Sequence, residues 1–155
     1  MNVKRVYTAI LACALALSCA ISPTKAVETP DGAITPMREL ECTVLAAPVE
    51  PWQDNSELAR AFTRIDISIP AKTSSGRDKS FHLEAGEVVR INCSYSPESA
   101  NIDFGLIAPD GAFYYVNVTD GSINKSIQVD ETGDYTLAVR NNSSDTVSVV
   151  GFVHY

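Results

Sequence analysis

The sequence predicts an all-β domain: an antiparallel β-sandwich of jelly-roll-like form with about eight or nine strands. Three observations carry this reading. From Met37 onward, short apolar stretches alternate with turn signals at spacings of about ten residues. Inside those stretches apolar and polar residues alternate one by one, which gives each strand one dry and one wet face. No stretch keeps a long helical period; only 54–61, with Asp54 or Asn55 as a cap, offers a short helix.

Taken in chain order, the first element is an export signal. Asn2, Lys4 and Arg5 make a short positive start, Val6 to Ala20 is almost wholly apolar, and Thr24-Lys25-Ala26 supplies a small-x-small cleavage site. Residues 1–26 therefore read as a secretory signal peptide, with Val27 as the first residue of the mature chain. The apolar run is about 15 residues, short of the roughly 20 that span a bilayer. A rival reading sits in the same segment: Ala16-Leu17-Ser18-Cys19 partly resembles the bacterial lipoprotein box, which makes a lipid anchor at Cys19 the alternative to a freely secreted protein. Residues 27–36, with two prolines, a glycine and two acids, read as a linker. Residues 37–155 read as a single β-sandwich domain.

Strands are expected near 39–46, 62–69, 79–84, 87–95, 101–108, 112–118, 123–129, 134–140 and 146–154. The turns between them lie at Ala85-Gly86, Pro109-Asp110-Gly111, Asp120-Gly121, Thr132-Gly133 and Asn141 to Asp145, with Pro109-Asp110-Gly111 and Asp120-Gly121 the best hairpin signals. Alternation assigns Ile65, Ile67 and Ile69, then Val89, Ile91, Cys93 and Tyr95, then Ile102, Phe104 and Leu106, then Tyr135, Leu137 and Val139 to the dry faces. Arg64, Asp66, Arg90, Asn92, Asp103, Thr136 and Arg140 fall on wet faces. The last strand is apolar on both faces, as expected of a central or covered strand. Tyr135, just after a turn in a late strand, reads as a tyrosine corner whose hydroxyl bonds backbone.

Removing the leader takes Lys4, Arg5 and Lys25 and no acid, which leaves 9 basic against 19 acidic side chains, a net charge of −10. Such a surface repels phosphate backbones and anionic membranes, so nucleic acid is not an expected partner. Of the four cysteines, Cys42 and Cys93 remain after the leader. Both alternate inward, Cys42 with Leu40 and Val44, and in an exported domain the pair reads as one disulfide. It would close a loop of about 50 residues, worth on the order of 4 kcal/mol in the chain-entropy account.

Residues 80–155 carry a further pattern. Ser80-Phe81-His82-Leu83-Glu84-Ala85-Gly86 is followed by Ile102-Asp103-Phe104-Gly105-Leu106-Ile107-Ala108-Pro109-Asp110-Gly111 and then by Gly133-Asp134-Tyr135-Thr136-Leu137-Ala138-Val139. This order resembles the bacterial pre-peptidase C-terminal domains and related jelly-roll modules of secreted proteins. The resemblance implies a β-sandwich accessory domain that serves an exported hydrolase. Residues 37–79 do not follow the family pattern.

Chemistry-bearing constellations are sparse. His82 and His154 lie in no metal-ligand spacing, Cys42 and Cys93 have no CxxC partner, and Ser80 beside His82 is too common a pairing to mark a nucleophile. Asp103, Asp110, Asp120, Asp130 and Asp134 lie at or beside turns and are the residues to consider for calcium, although their spacing is not that of an EF-hand. Asn92, Asn117, Asn124, Asn141 and Asn142 fit Asn-x-Ser/Thr. Trp52, Tyr95, Tyr114, Tyr115 and Tyr155 are candidates for an exposed aromatic platform. Tyr114 and Tyr115 are consecutive, so one of them faces outward. With two valines on the Tyr114 side, the outer row becomes Phe113, Tyr115 and Asn117, a sugar-facing row with Tyr115 exposed. The function expected is that of an exported, non-enzymatic binding or accessory module without a cofactor, its ligand a glycan or a protein. The alternatives are a helper acting in trans with a secreted hydrolase and a purely structural surface protein.

Overall fold

The computed structural model describes residues 33–52 and 62–155. The leader at 1–26, most of the 27–36 segment and the short helix expected at 54–61 lie outside the described residues. The described chain forms twelve strands: β1 (Ile34–Pro36), β2 (Glu41–Thr43), β3 (Val49–Trp52), β4 (Phe62–Ile69), β5 (Ser74–Arg77), β6 (Phe81–Leu83), β7 (Val88–Ser96), β8 (Ile102–Ile107), β9 (Phe113–Val118), β10 (Ser122–Gln128), β11 (Gly133–Asn141) and β12 (Val147–His154), with one short 3-10 turn at Met37–Glu39. No helix among the described residues is long and apolar enough to cross a membrane.

The strands form two sheets packed as a sandwich. The smaller has the order β1-β10-β7-β12-β4, and the larger has the order β2-β9-β8-β11-β5-β3 with β6 also paired to β11. All nine expected strands are present. Three more appear that alternation did not mark: β1 inside the segment read as a linker, β3 and β5. Two of the sheet pairs, β1 with β10 and β3 with β5, are parallel. The sheets are therefore mixed rather than purely antiparallel, and the strand count exceeds eight or nine. The cause is local: β1 and β3 each contain a proline and lie at sheet margins, where a missing N–H breaks no ladder.

The dry faces meet where alternation places them. Ile65, Ile69, Val89, Ile91, Cys93 and Tyr95 of the smaller sheet pack against Ile102, Phe104, Leu106, Tyr135, Leu137 and Val139 of the larger, all buried. Each such aliphatic or aromatic side chain contributes about 1.5–3 kcal/mol of transfer free energy. β12 is central between β7 and β4, and Val150 and Phe152 on its outer face remain about half exposed. Tyr135 forms its corner, the hydroxyl donating to the Glu131 carbonyl at 2.7 Å.

The turns act less uniformly than expected. Pro109-Asp110-Gly111 closes a hairpin between β8 and β9, with Gly111 at a φ of 84°. Asp120-Gly121 does not close a hairpin: it carries the chain from β9 in the larger sheet to β10 in the smaller. Ala85-Gly86, Thr132-Gly133 and Asn141 to Asp145 cross between sheets in the same way. Turn chemistry sets the reversal of the chain, and the burial of both dry faces decides which sheet the next strand joins.

The expected disulfide is absent: Cys42 and Cys93 are both free. Cys42 lies opposite Tyr114 on β2, the margin of the larger sheet, and its nominally inward side chain is exposed there. Cys93 is buried in β7 of the other sheet, and burial pushes its thiol up to about 12.

Candidate binding face

The outer face of the larger sheet carries the most organised polar cluster among the described residues. It begins with register. β8 pairs with β9 so that Asp103 lies opposite Asn117 and Gly105 opposite Tyr115. On its other side β8 pairs with β11, with Asp103 opposite Arg140 and Gly105 opposite Ala138. Three wet-face residues from distant parts of the chain thus form one row, Asn117, Asp103 and Arg140, beside a second row of Tyr115, Gly105 and Ala138.

Asp103 is the centre of the first row and is only 1% exposed. A carboxylate in that position needs partners that answer its charge, and it has them. Arg140 donates to Oδ2 through Nε at 2.7 Å and through Nη2 at 2.7 Å. Asn117 Nδ2 donates to Oδ1 at 2.5 Å, and Asn142 Nδ2 donates to Oδ2 at 2.6 Å. The same two amides also donate to Asn101 Oδ1, at 2.8 and 3.0 Å. Three asparagines and one aspartate are locked into a single network, whose amide orientation follows from the carboxylate being an acceptor only.

The second row meets Arg140, whose guanidinium carbon lies 4.8 Å from the Tyr115 ring centre and 5.7 Å from that of Phe113. The two rings stack, with centres 5.3 Å apart and planes at 18°. Tyr115 is therefore a half-buried plate held by the Phe113 ring and the Arg140 guanidinium, which are also close to each other. Burial, with the Glu41 carboxylate of β2 beside it, pushes its hydroxyl above the ordinary phenol range, while Arg140 pulls the other way. Gly105 admits no substitute, because a Cβ there would overlap the Tyr114 carbonyl and the Tyr115 backbone.

Tyr115 and Asn117 also border an open groove of about 980 Å³ that runs along β9 to β10, with Leu40, Val116, Ile123 and the buried Cys93 among its lining residues. Its size falls in the range of small-ligand clefts.

The structure places Phe113, Tyr115 and Asn117 on one face, with Asn117 exposed, Tyr115 half-buried and Phe113 fully buried. Phe113 is thus the base of the Tyr115 stack rather than a ligand-facing ring, because Tyr115 and Arg140 lie over it. The other platform candidates are spent on packing. Trp52 and Tyr95 are core residues, and Tyr155 stacks on Phe81 at 4.1 Å. Asn101 and Arg140 were not legible as site residues, and Asp103 and Asn142 only as a calcium and a glycosylation candidate, since only the strand register brings them to Asn117. The one available signal was a lone acid on an otherwise apolar strand, Ile102-Asp103-Phe104-Gly105-Leu106-Ile107.

Three of the other acids considered for calcium are engaged separately. Asp110 accepts from the Ala112 amide, Asp130 holds Arg38 and Asp134 holds His82. No cluster of three or more metal-binding side chains occurs among the described residues. The His82–Asp134 pair, at 2.9 Å, lies open on the surface with both side chains more than half exposed. Asn141 is fully buried, its amide donating to the Ile69, Pro70 and Asp145 carbonyls. Its Asn-x-Ser pattern is accordingly a loop clamp in this fold.

No protein-family model matches the sequence. No curated protein matches it. Among solved structures, the chain is similar to the crystal structure of a PliG-Ec mutant, a periplasmic lysozyme inhibitor of g-type lysozyme from Escherichia coli, at 14% identity and a TM-score of 0.41, over 69% of this chain and 98% of that one.

Proposed function

We propose that the protein is an exported, non-enzymatic binding module that recognises a glycan on the outer face of its larger sheet. The observation that carries this is the fixed, half-exposed Tyr115 ring beside an ordered amide network. A pyranose presents one apolar face and a fringe of hydroxyls, and it is matched by an aromatic plate with hydrogen-bonding groups at its edge. Tyr115 supplies the plate. The hydrogen bonds of Asn117 and Asn142 side chains run through Nδ2, and that of the Asn101 side chain through Oδ1. Two amide oxygens and one amide nitrogen are thereby left for ligand hydroxyls, in positions held by Asp103. Such preorganisation lowers the ordering cost of binding. The adjoining groove gives a chain longer than one sugar a path along β9. An accessory role of the kind implied by the resemblance to pre-peptidase C-terminal domains is compatible with this reading, and the leader read at residues 1–26 would deliver the module outside the cytoplasm.

The test is a glycan array probed with the parent and with Tyr115→Ala. The parent is expected to bind a set of neutral glycans, and the variant to lose on the order of tenfold or more in affinity while keeping its fold. A Tyr115→Ala variant that binds the same glycans as well as the parent would sink the proposal.

A further inference from the structure

We infer that a cavity at one end of the sandwich is a docking pocket for an arginine side chain displayed by a basic protein partner. The cavity holds about 240 Å³. It lies where three connections meet: the β8–β9 hairpin at Pro109-Asp110, the turn after β10 at Asp130-Glu131, and the 3-10 turn at Met37-Arg38. All of its lining residues belong to the described chain. Its walls are apolar and aromatic: Met37 and Tyr135 are buried, and Tyr114 is half-buried. Clefts that take a whole small molecule run to about 300–1,000 Å³. This one is smaller and suits a single long side chain.

Charge decides which side chain. Asp110, Asp130 and Glu131 line the cavity against one base, Arg38, so three acids less one base leave a local net charge of −2. Arg38 is spent on Asp130: its backbone N–H donates to Oδ2 at 2.7 Å and its Nη1 to Oδ1 at 2.8 Å. Asp110 uses one oxygen, Oδ1, on the Ala112 amide. Among the described residues no hydrogen bond or ion pair engages its Oδ2, the Glu131 carboxylate or the Tyr114 hydroxyl. The acids converge on the aromatic walls: burial first, and then the charge of all three, holds the Tyr114 and Tyr135 hydroxyls above the ordinary phenol range. An arginine answers each feature. Its methylene stem lies along apolar walls, its guanidinium plane stacks on a tyrosine ring, and its forked N–H groups reach carboxylates in charge-assisted hydrogen bonds. An anion would be repelled, and the net charge of −7 on the whole chain steers basic partners toward the protein.

The test is a titration of isotope-labelled protein with the blocked pentapeptide Gly-Gly-Arg-Gly-Gly, followed by amide chemical shifts. A second titration uses the counterpart with citrulline, which keeps the shape of arginine and removes its charge. The arginine peptide is expected to bind in the millimolar range, since it lacks the rest of a partner surface, and to shift Asp110, Tyr114 and Glu131. The citrulline peptide is expected to bind on the order of tenfold more weakly. Glu131→Gln, which removes a charge from an exposed side chain and leaves the backbone carbonyl that holds Tyr135, is expected to weaken the arginine peptide several-fold. Asp110→Asn keeps an oxygen for the Ala112 amide and is expected to act in the same direction. No shift around the cavity with the arginine peptide at concentrations on the order of 10 mM, equal binding of the citrulline peptide, or parent-like binding by both variants would each overturn the pocket.

Discussion

Replacing Asp103 by alanine removes the anion on which the binding face is built, and its cost follows from what would be left behind. Arg140 would keep a guanidinium that is 25% exposed, with no carboxylate in its row. Asn117 and Asn142 would each lose their shortest hydrogen bond. Breaking one side of a buried ion pair costs about 3–5 kcal/mol. The partial exposure of Arg140 lets water recover some of that, so the lower end, about 3 kcal/mol, is expected. In urea, where stability falls by about 1–3 kcal/mol per molar, the unfolding midpoint should drop by about 1–3 M. The double variant Asp103→Ala/Arg140→Ala removes the stranded charge and should recover part of the loss, since residues in one network are not additive. A midpoint shift below about 0.5 M for Asp103→Ala would refute the reasoning, because the carboxylate would then not be the element that holds the face together.

Other expectations follow from single atoms. Gly105→Ala places a methyl group against the Tyr114 carbonyl and should destabilise the domain by about 1–3 kcal/mol, measured by thermal or urea unfolding. In protein spanning residues 27–155, thiol titration without reductant should find one reactive group, Cys42, in the native state and two after unfolding, whereas a disulfide would yield none. Cys93 is neutral in the folded state up to about 12 but titrates near 9.0 once unfolded. Its contribution to stability is therefore complete below pH 9.0 and is lost as pH rises toward about 12, because only the unfolded chain releases the proton. A Cys93→Ala variant should show a shallower alkaline loss of stability than the parent. Tyr135→Phe removes the bond to the Glu131 carbonyl and should cost about 1 kcal/mol in the same unfolding assay.

Alternation made the sandwich legible because β4, β7, β8 and β11 are long and each has one dry face. It was silent on β1, β3 and β5, whose residues Ile34-Thr35-Pro36, Val49-Glu50-Pro51-Trp52 and Ser74-Ser75-Gly76-Arg77 are short and carry proline, serine or glycine in place of a repeating apolar signal. Cys42 was misplaced for a related reason. Parity tells which side of a sheet a residue takes, and at a sheet margin that side can still be open to water. The binding face was half legible. Phe113, Tyr115 and Asn117 share a row by parity alone, whereas the meeting of Asp103, Arg140 and Asn142 depends on register between strands, which a local pattern does not encode. Nor does parity report that Arg140 lies against the Phe113 and Tyr115 rings.

The central claim is that ligand meets the Tyr115 face, and amide chemical-shift mapping tests it directly. In a titration of isotope-labelled protein with neutral oligosaccharides of glucose, mannose and N-acetylglucosamine, the largest shifts are expected at Tyr115, Asn117, Asn101, Asn142 and Arg140, with shifts near Leu40 and Ile123 if the chain follows the groove. Shifts confined to the opposite face, around Val150 and Phe152, or no shift on the larger sheet with any of these sugars, would contradict the account.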